Sequence, residues 1–286
     1  MIYPQNFEQK IGFDEIRTLL MGHCLSTLGI ERVGQMKFLT DLHLLRELQE
    51  QTREFLRIQE GEEDFPEQDF YDVRPAIKRI RIEGTYLDET ELFDLKRSLC
   101  TIINIVRFLN KDSEEDNDTG ENRPDDDASV PYPALRRLTQ GVSVYPQLVH
   151  RIENILDKYG KIKESAELLR IRRELVAAES GISRTLHSIL RNAQQDGVVE
   201  KDVTPTMRDG RLVIPVAPAL KRKIKGIVHD ESSTGRTVFI EPAEVVEANN
   251  RIRELEGEER REIIRILQEF TAEVRPHYQE ILQSYE

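Results

Sequence analysis

The feature that most constrains this 286-residue chain is a pair of long, proline-free apolar repeats on either side of a short, turn-rich segment. From about Glu164 to Ala193, the apolar positions Leu168, Ile171, Leu175, Ala178, Ile182, Leu186 and Ile189 recur at spacings of three and four. That period places them on one stripe of an α-helix. Thirty residues of helix reach about 45 Å, longer than one compact domain needs. A second repeat begins after Pro242, whose ring is tolerated at a helix start. It runs through Val245, Val246, Ile252, Leu255, Ile263, Ile266, Leu267 and Phe270 until Pro276, which should kink or end it. Glu and Arg alternate from Arg251 to Arg261, as on a helix solvated on most sides and braced by pairs three or four apart. Two matched helices around a short segment predict an antiparallel arm.

Between Asp202 and Glu241 the period changes from helical to alternating, with Leu212, Ile214 and Val216 on one face of a run that follows Asp209-Gly210. Asp-Gly between two extended runs is a strong hairpin signal. Pro205 and Pro215 demote their positions to edges or bulges. A second hairpin is predicted from Gly226 to Asp230 and from Arg236 to Ile240, turning at Ser232-Ser233-Thr234-Gly235.

The rest reads as helix. Ile16, Leu19 and Leu20, then Leu42, Leu45, Leu48, Phe55 and Leu56, predict packed helices of a small core, the second capped by Thr40 or Asp41. A loop from Glu60 to Asp72, the stretch Val73 to Ile82 and an amphipathic helix from Asp88 to Leu109 follow, and helical pieces recur around Leu135 to Leu138 and Leu148 to Tyr159. Residues 112–131 are nearly devoid of apolar side chains and are predicted to be a disordered surface loop. Cys24 and Cys100 lack paired spacing and are expected to be buried, reduced thiols of a cytoplasmic protein. No apolar run approaches the length that spans a bilayer, so a membrane protein is not expected.

Charge locates the candidate site. The formal net charge is −12, which spread evenly would disfavour a polyanionic partner. Nine acids against one Arg lie between Asp112 and Asp127, whereas Lys201 to Ile240 holds eight bases and four acids. A polyanion is drawn to the second segment and repelled by the remainder. Arg208 and Arg211 flank the first predicted turn, Lys221, Arg222, Lys223 and Lys225 line the connection, and Arg236 follows the second turn. Several flexible cations can each neutralise a phosphate without reading sequence. Exposed hairpins also carry Lys and Arg to protect their edges, so charge alone leaves both readings open. Phe239 is the one aromatic in the segment, and base stacking is not supported.

Catalytic patterns are missing from the sequence. Gly235-Arg236-Thr237 has Arg where a phosphate-binding P-loop needs Lys, with no Gly five residues before Gly235, so ATP hydrolysis by this chain is not expected. His229, Asp230, Glu231 and Ser232 are consecutive, but neighbours in a strand point to opposite faces, so they read as a polar strand end and turn. The other histidines show no metal-ligand spacing. No catalytic, cofactor or metal residue is assigned.

The run Thr206-Met207-Arg208-Asp209-Gly210-Arg211-Leu212-Val213-Ile214-Pro215-Val216, with Lys225 through Pro242, Asn249-Asn250 and Glu258 to Ile263, closely resembles the second MutS family of bacteria. Phe7, Lys10-Ile11 and Cys24-Leu25-Ser26 are similar to the start of that family. The resemblance implies a mainly α fold: a helical core (1–160), an ascending lever helix (161–201), a β-rich clamp (202–241), and a returning lever helix and core (242–286). It implies the non-catalytic part of a MutS-type ATPase, with a P-loop domain binding ATP and Mg and a carboxy-terminal Smr endonuclease domain beyond Glu286. The implied roles are suppression of recombination through branched DNA or, alternatively, recognition of collided ribosomes and their RNA for splitting and rescue. The longer protein is expected to be a homodimer. A purely structural dimerisation arm is the third reading. The acidic loop has no counterpart in the resemblance.

Overall fold

The computed structural model describes residues 6–61, 64–111 and 131–285. The expected loop over 112–131 therefore lies, but for Pro131, outside the described residues. The fold is mainly helical with one small antiparallel sheet, and it divides into two compact units, residues 1–163 with 267–286 and residues 164–266.

The first unit opens with α1 (Phe7–Lys10), α2 (Phe13–Gly22), α3 (Thr27–Gly34) and α4 (Leu42–Glu60). Asp41 caps α4 by accepting from the backbone N–H of His43 and Leu44, as one of the two candidate caps requires. The expectation that these helices form a packed core is corrected. Ile16, Leu19, Leu20, Leu42, Leu44, Leu45 and Leu48 are exposed, and only Leu28 and Ile58 among the large aliphatics of α1 to α4 are buried. Periodicity finds an apolar stripe; it does not show what covers it. The core proper begins with α5 (Arg74–Arg79) and α6 (Glu89–Leu109), followed by α7 (Pro133–Leu138) and α8 (Pro146–Ile155). Asp88 and Glu91 make a capping box that starts α6 where the sequence places it. Ile77, Leu92, Leu95, Leu99, Ile152, Phe270 and Ile281 are fully or almost fully buried. Glu54, buried in α4, accepts from the backbone N–H of Ala134 at 2.9 Å and of Leu135 at 2.8 Å. It thereby satisfies two donors that the start of α7 leaves open. The helix expected to reach Tyr159 stops at Ile155 because Leu156 turns extended and bridges Ile162. Cys24 and Cys100 are free but half-buried rather than buried; burial pushes the Cys100 thiol up.

The second unit is built on α9 (Ala166–Gln195) and α10 (Val246–Val274), the latter running on into the first unit's sequence range. Ser165 caps α9, and α10 ends one residue before the short 3₁₀ turn that contains Pro276, followed by α11 (Tyr278–Gln283). Arg170 pairs with Glu258, Arg172 with Glu259 and Glu174 with Arg251, so the two helices run side by side in opposite directions. Between them in sequence come β1 (Thr206–Arg208), β2 (Arg211–Val216), β3 (Gly226–Glu231) and β4 (Val238–Pro242), in the spatial order β1-β2-β4-β3. Asp209 and Gly210 both have positive φ, the geometry of the two-residue turn that Asp-Gly favours. Pro215 lies past the last β1 partner, Val213↔Thr206, so its stretch of β2 is paired on the β4 side alone and tolerates a missing N–H. Gly226 opens β3 against the backbone of β4, where a Cβ would stand 2.0 Å from the Glu241 carbonyl oxygen. One face of the sheet, carrying Ile214, Val216, Val238 and Ile240, packs on Ile182, Leu186 and Leu190 of α9 and Val245 and Ile252 beside it.

Candidate nucleic-acid interface

The cations assigned from sequence fall into two groups. Pro218 starts a 3₁₀ turn that ends in Lys221, Arg222 and Lys223, and Lys225 leads into β3. These four and Arg236, at the Ser232–Gly235 turn, are exposed and make no ion pair with an acid among the described residues. Two exposed apolar side chains, Ile227 and Val228, stand next to them on β3. The pairing of the outer strand β3 with β4 is irregular, with a register shift between Val228 and Asp230; bulges and lysines are usual guards of an open edge.

Arg208 and Arg211 are engaged inside the sheet. The Arg208 guanidinium lies 4.3 Å from the centre of the Phe239 ring and 3.7 Å from an Asp230 carboxylate oxygen, so it shields an otherwise uncovered aromatic. Arg211 donates to both Glu241 oxygens, at 2.7 and 2.9 Å, and to the Asn250 side-chain oxygen at 2.7 Å. Arg211 is therefore a half-buried, internally paired cation, and the unpaired set contracts to Lys221, Arg222, Lys223, Lys225 and Arg236.

Glu241 is the residue that sequence reasoning missed. Its side chain has no solvent exposure, yet it meets Arg211, the His229 Nε2 at 2.5 Å and the Asn249 amide at 2.7 Å. Burial pushes the carboxyl up, but the hydrogen bonds from His229, Asn249 and Arg211 outweigh it and hold its pKa below the ordinary value. His229 reaches it because the register shift frees this residue from strict alternation. The run His229 to Ser232 does not converge on one point, but its first member joins Glu241. Asn249 also bonds both the N–H and the carbonyl of Leu212, standing in for a ladder partner beyond the last β2–β4 pair, Ile214↔Ile240. The two hairpins and the start of α10 are thus tied through one carboxylate. The available signal was a lone Glu inside the apolar run Val238 to Pro242, since a buried carboxylate requires donors.

No family model matches the chain. Among curated proteins, the endonuclease MutS2 of Enterococcus faecalis is 30% identical over 279 residues, 97% of this chain and 33% of the relative. The endonuclease MutS2 of a Geobacillus species is 31% identical over 274 residues, 95% of this chain and again 33% of the relative. That of Pelotomaculum thermopropionicum is 32% identical over 254 residues, 88% and 30% of the two. The chain belongs to the MutS2 family. It spans about a third of the length of the MutS2 relatives it matches. In this MutS2-family chain, the residues that carried the resemblance, Thr206 to Val216, Lys225 to Pro242 and Asn249-Asn250, are those that build the sheet and its anchor on α10.

Proposed function

We propose that the sheet is a nucleic-acid clamp, in which Lys221, Arg222, Lys223, Lys225 and Arg236 neutralise backbone phosphates without reading sequence. The supporting observation is a contrast within one unit. On the long helices Arg170, Arg172, Arg251 and Arg265 each pair with a glutamate, whereas the five sheet cations have no acid partner among the described residues. Uncompensated cations clustered on one small element repel each other, and an external polyanion relieves that repulsion.

In this reading α9 and α10 are the lever of a MutS-type ATPase and the chain is its non-catalytic, cytoplasmic part. Branched DNA is the target, in suppression of recombination or in repair. ATP and Mg would be held by a P-loop domain of the longer protein, for which this sequence supplies no residues, and a homodimer would bring two clamps together. The names of the relatives support an endonuclease only at the level of that longer protein.

The test is charge reversal, K221E/R222E/K223E/K225E, assayed against a DNA four-way junction and against ribosomal RNA helices. Loss of four phosphate contacts should flatten the slope of log K on log salt by about 4. The substrate losing more affinity separates branched DNA from the ribosomal alternative. Unchanged affinity for both would leave only a structural arm.

A further inference from the structure

The distal half of α9 has a composition unlike the rest of this acidic chain. From Ser180 to Gln195 there is no Asp or Glu, although Glu164, Glu167, Glu174 and Glu179 precede it and Asp196 ends it. Arg184, His187 and Arg191 recur within that half at spacings of three and four, so they share one face of the helix. All three are exposed. Leu186 and Leu190 of the same half are buried against the sheet, and at about 100° per residue the basic stripe is turned away from them by about 110°. Arg184 to Arg191 is two turns, about 10 Å of helix. Ser188 and Asn192 add exposed hydrogen-bond donors beside them.

A helix face made only for solubility has its cations next to acids, as the proximal half of α9 does: Arg170 bonds both Glu167 and Glu174. On the distal half Arg184 donates to the carbonyl of Ser180 in its own helix, and neither it nor Arg191 has an acid partner among the described residues. Cations with hydroxyl and amide donors between them are the usual equipment for a phosphodiester backbone.

We infer that the outer face of distal α9 is a second phosphate-binding stripe, which takes the backbone of the nucleic acid gripped by the sheet and lays it along the helix. The inference rests on the proposed function and extends its footprint from the sheet to the helix beneath it. The test is R184Q/R191Q, chosen because Gln keeps helix propensity at exposed positions, with circular dichroism confirming unchanged helicity. Binding to a DNA four-way junction and to an RNA hairpin is measured over a salt series beside wild type and K221E/R222E/K223E/K225E. The expected result is a loss of affinity for the four-way junction and a slope flattened by about 2. Loss with both nucleic acids shows the shared backbone chemistry, and loss with one names the source. Ser188→Glu, which adds a carboxylate to the stripe and removes no cation, should weaken binding in the same direction. If R184Q/R191Q and Ser188→Glu bind as wild type while the sheet variant is weakened, the stripe is overturned and the clamp stands. If every variant binds as wild type, both readings fall.

Discussion

Glu241 accepts from three side chains in a place where a lone carboxylate would be strongly disfavoured. Removing one partner of a buried ion pair strands the other, so Glu241→Gln should destabilise the second unit by about 3 kcal/mol, read as a lower urea midpoint. The pH dependence follows from the lowered carboxyl. A group whose folded pKa lies below its ordinary 4.5 stabilises the fold at neutral pH and loses that contribution as pH falls through the lowered value. Wild type should therefore lose stability on acidification with a component that Glu241→Gln lacks; identical acid limbs in urea melts would refute it. Nothing in the sequence pairs Glu241 with Arg211, His229 and Asn249, because they are brought together by a hairpin, a bulge and a helix start that lie far apart along the chain. Charge counting assigned Arg211 to phosphate for the same reason: it sees residue type and not the carboxylate opposite.

Elements were more legible than contacts. The period-three-and-four repeats placed α9 and α10 to within a few residues, the Asp209-Gly210 pair placed the first hairpin, and Pro276 marked the end of α10. These are local signals, set by backbone preferences within a few residues of each position. The covering of α1 to α4 was not legible, since burial depends on what stands opposite a stripe. Two predictions belong at this scale. Gly181 lies mid-helix in α9, and a Cβ there would meet no atom within 4 Å, so Gly181→Ala should stabilise by about 0.5–1 kcal/mol. A lower melting temperature would show that the position needs its glycine. Gly210 has φ +73°, so Gly210→Ala should cost about 1–2 kcal/mol, and an unchanged urea midpoint would contradict the two-residue turn.

Over the whole molecule, charge is sorted by place. The acid-rich stretch from Asp112 to Asp127 accounts for most of the net −12, Arg170, Arg172 and Arg251 of the long helices are neutralised by glutamates, and Lys221, Arg222, Lys223, Lys225 and Arg236 have no acid partner among the described residues. Family membership gives this sorting a context, since the chain matches about a third of each MutS2 relative. The measurement that bears most directly on the grip is the salt dependence of four-way-junction binding by wild type and K221E/R222E/K223E/K225E, in the protein whose fold is confirmed by circular dichroism. The clamp reading predicts strong weakening of wild-type binding as salt rises and a slope flattened by about 4 in the variant. Equal slopes and equal affinities for the two proteins would contradict it.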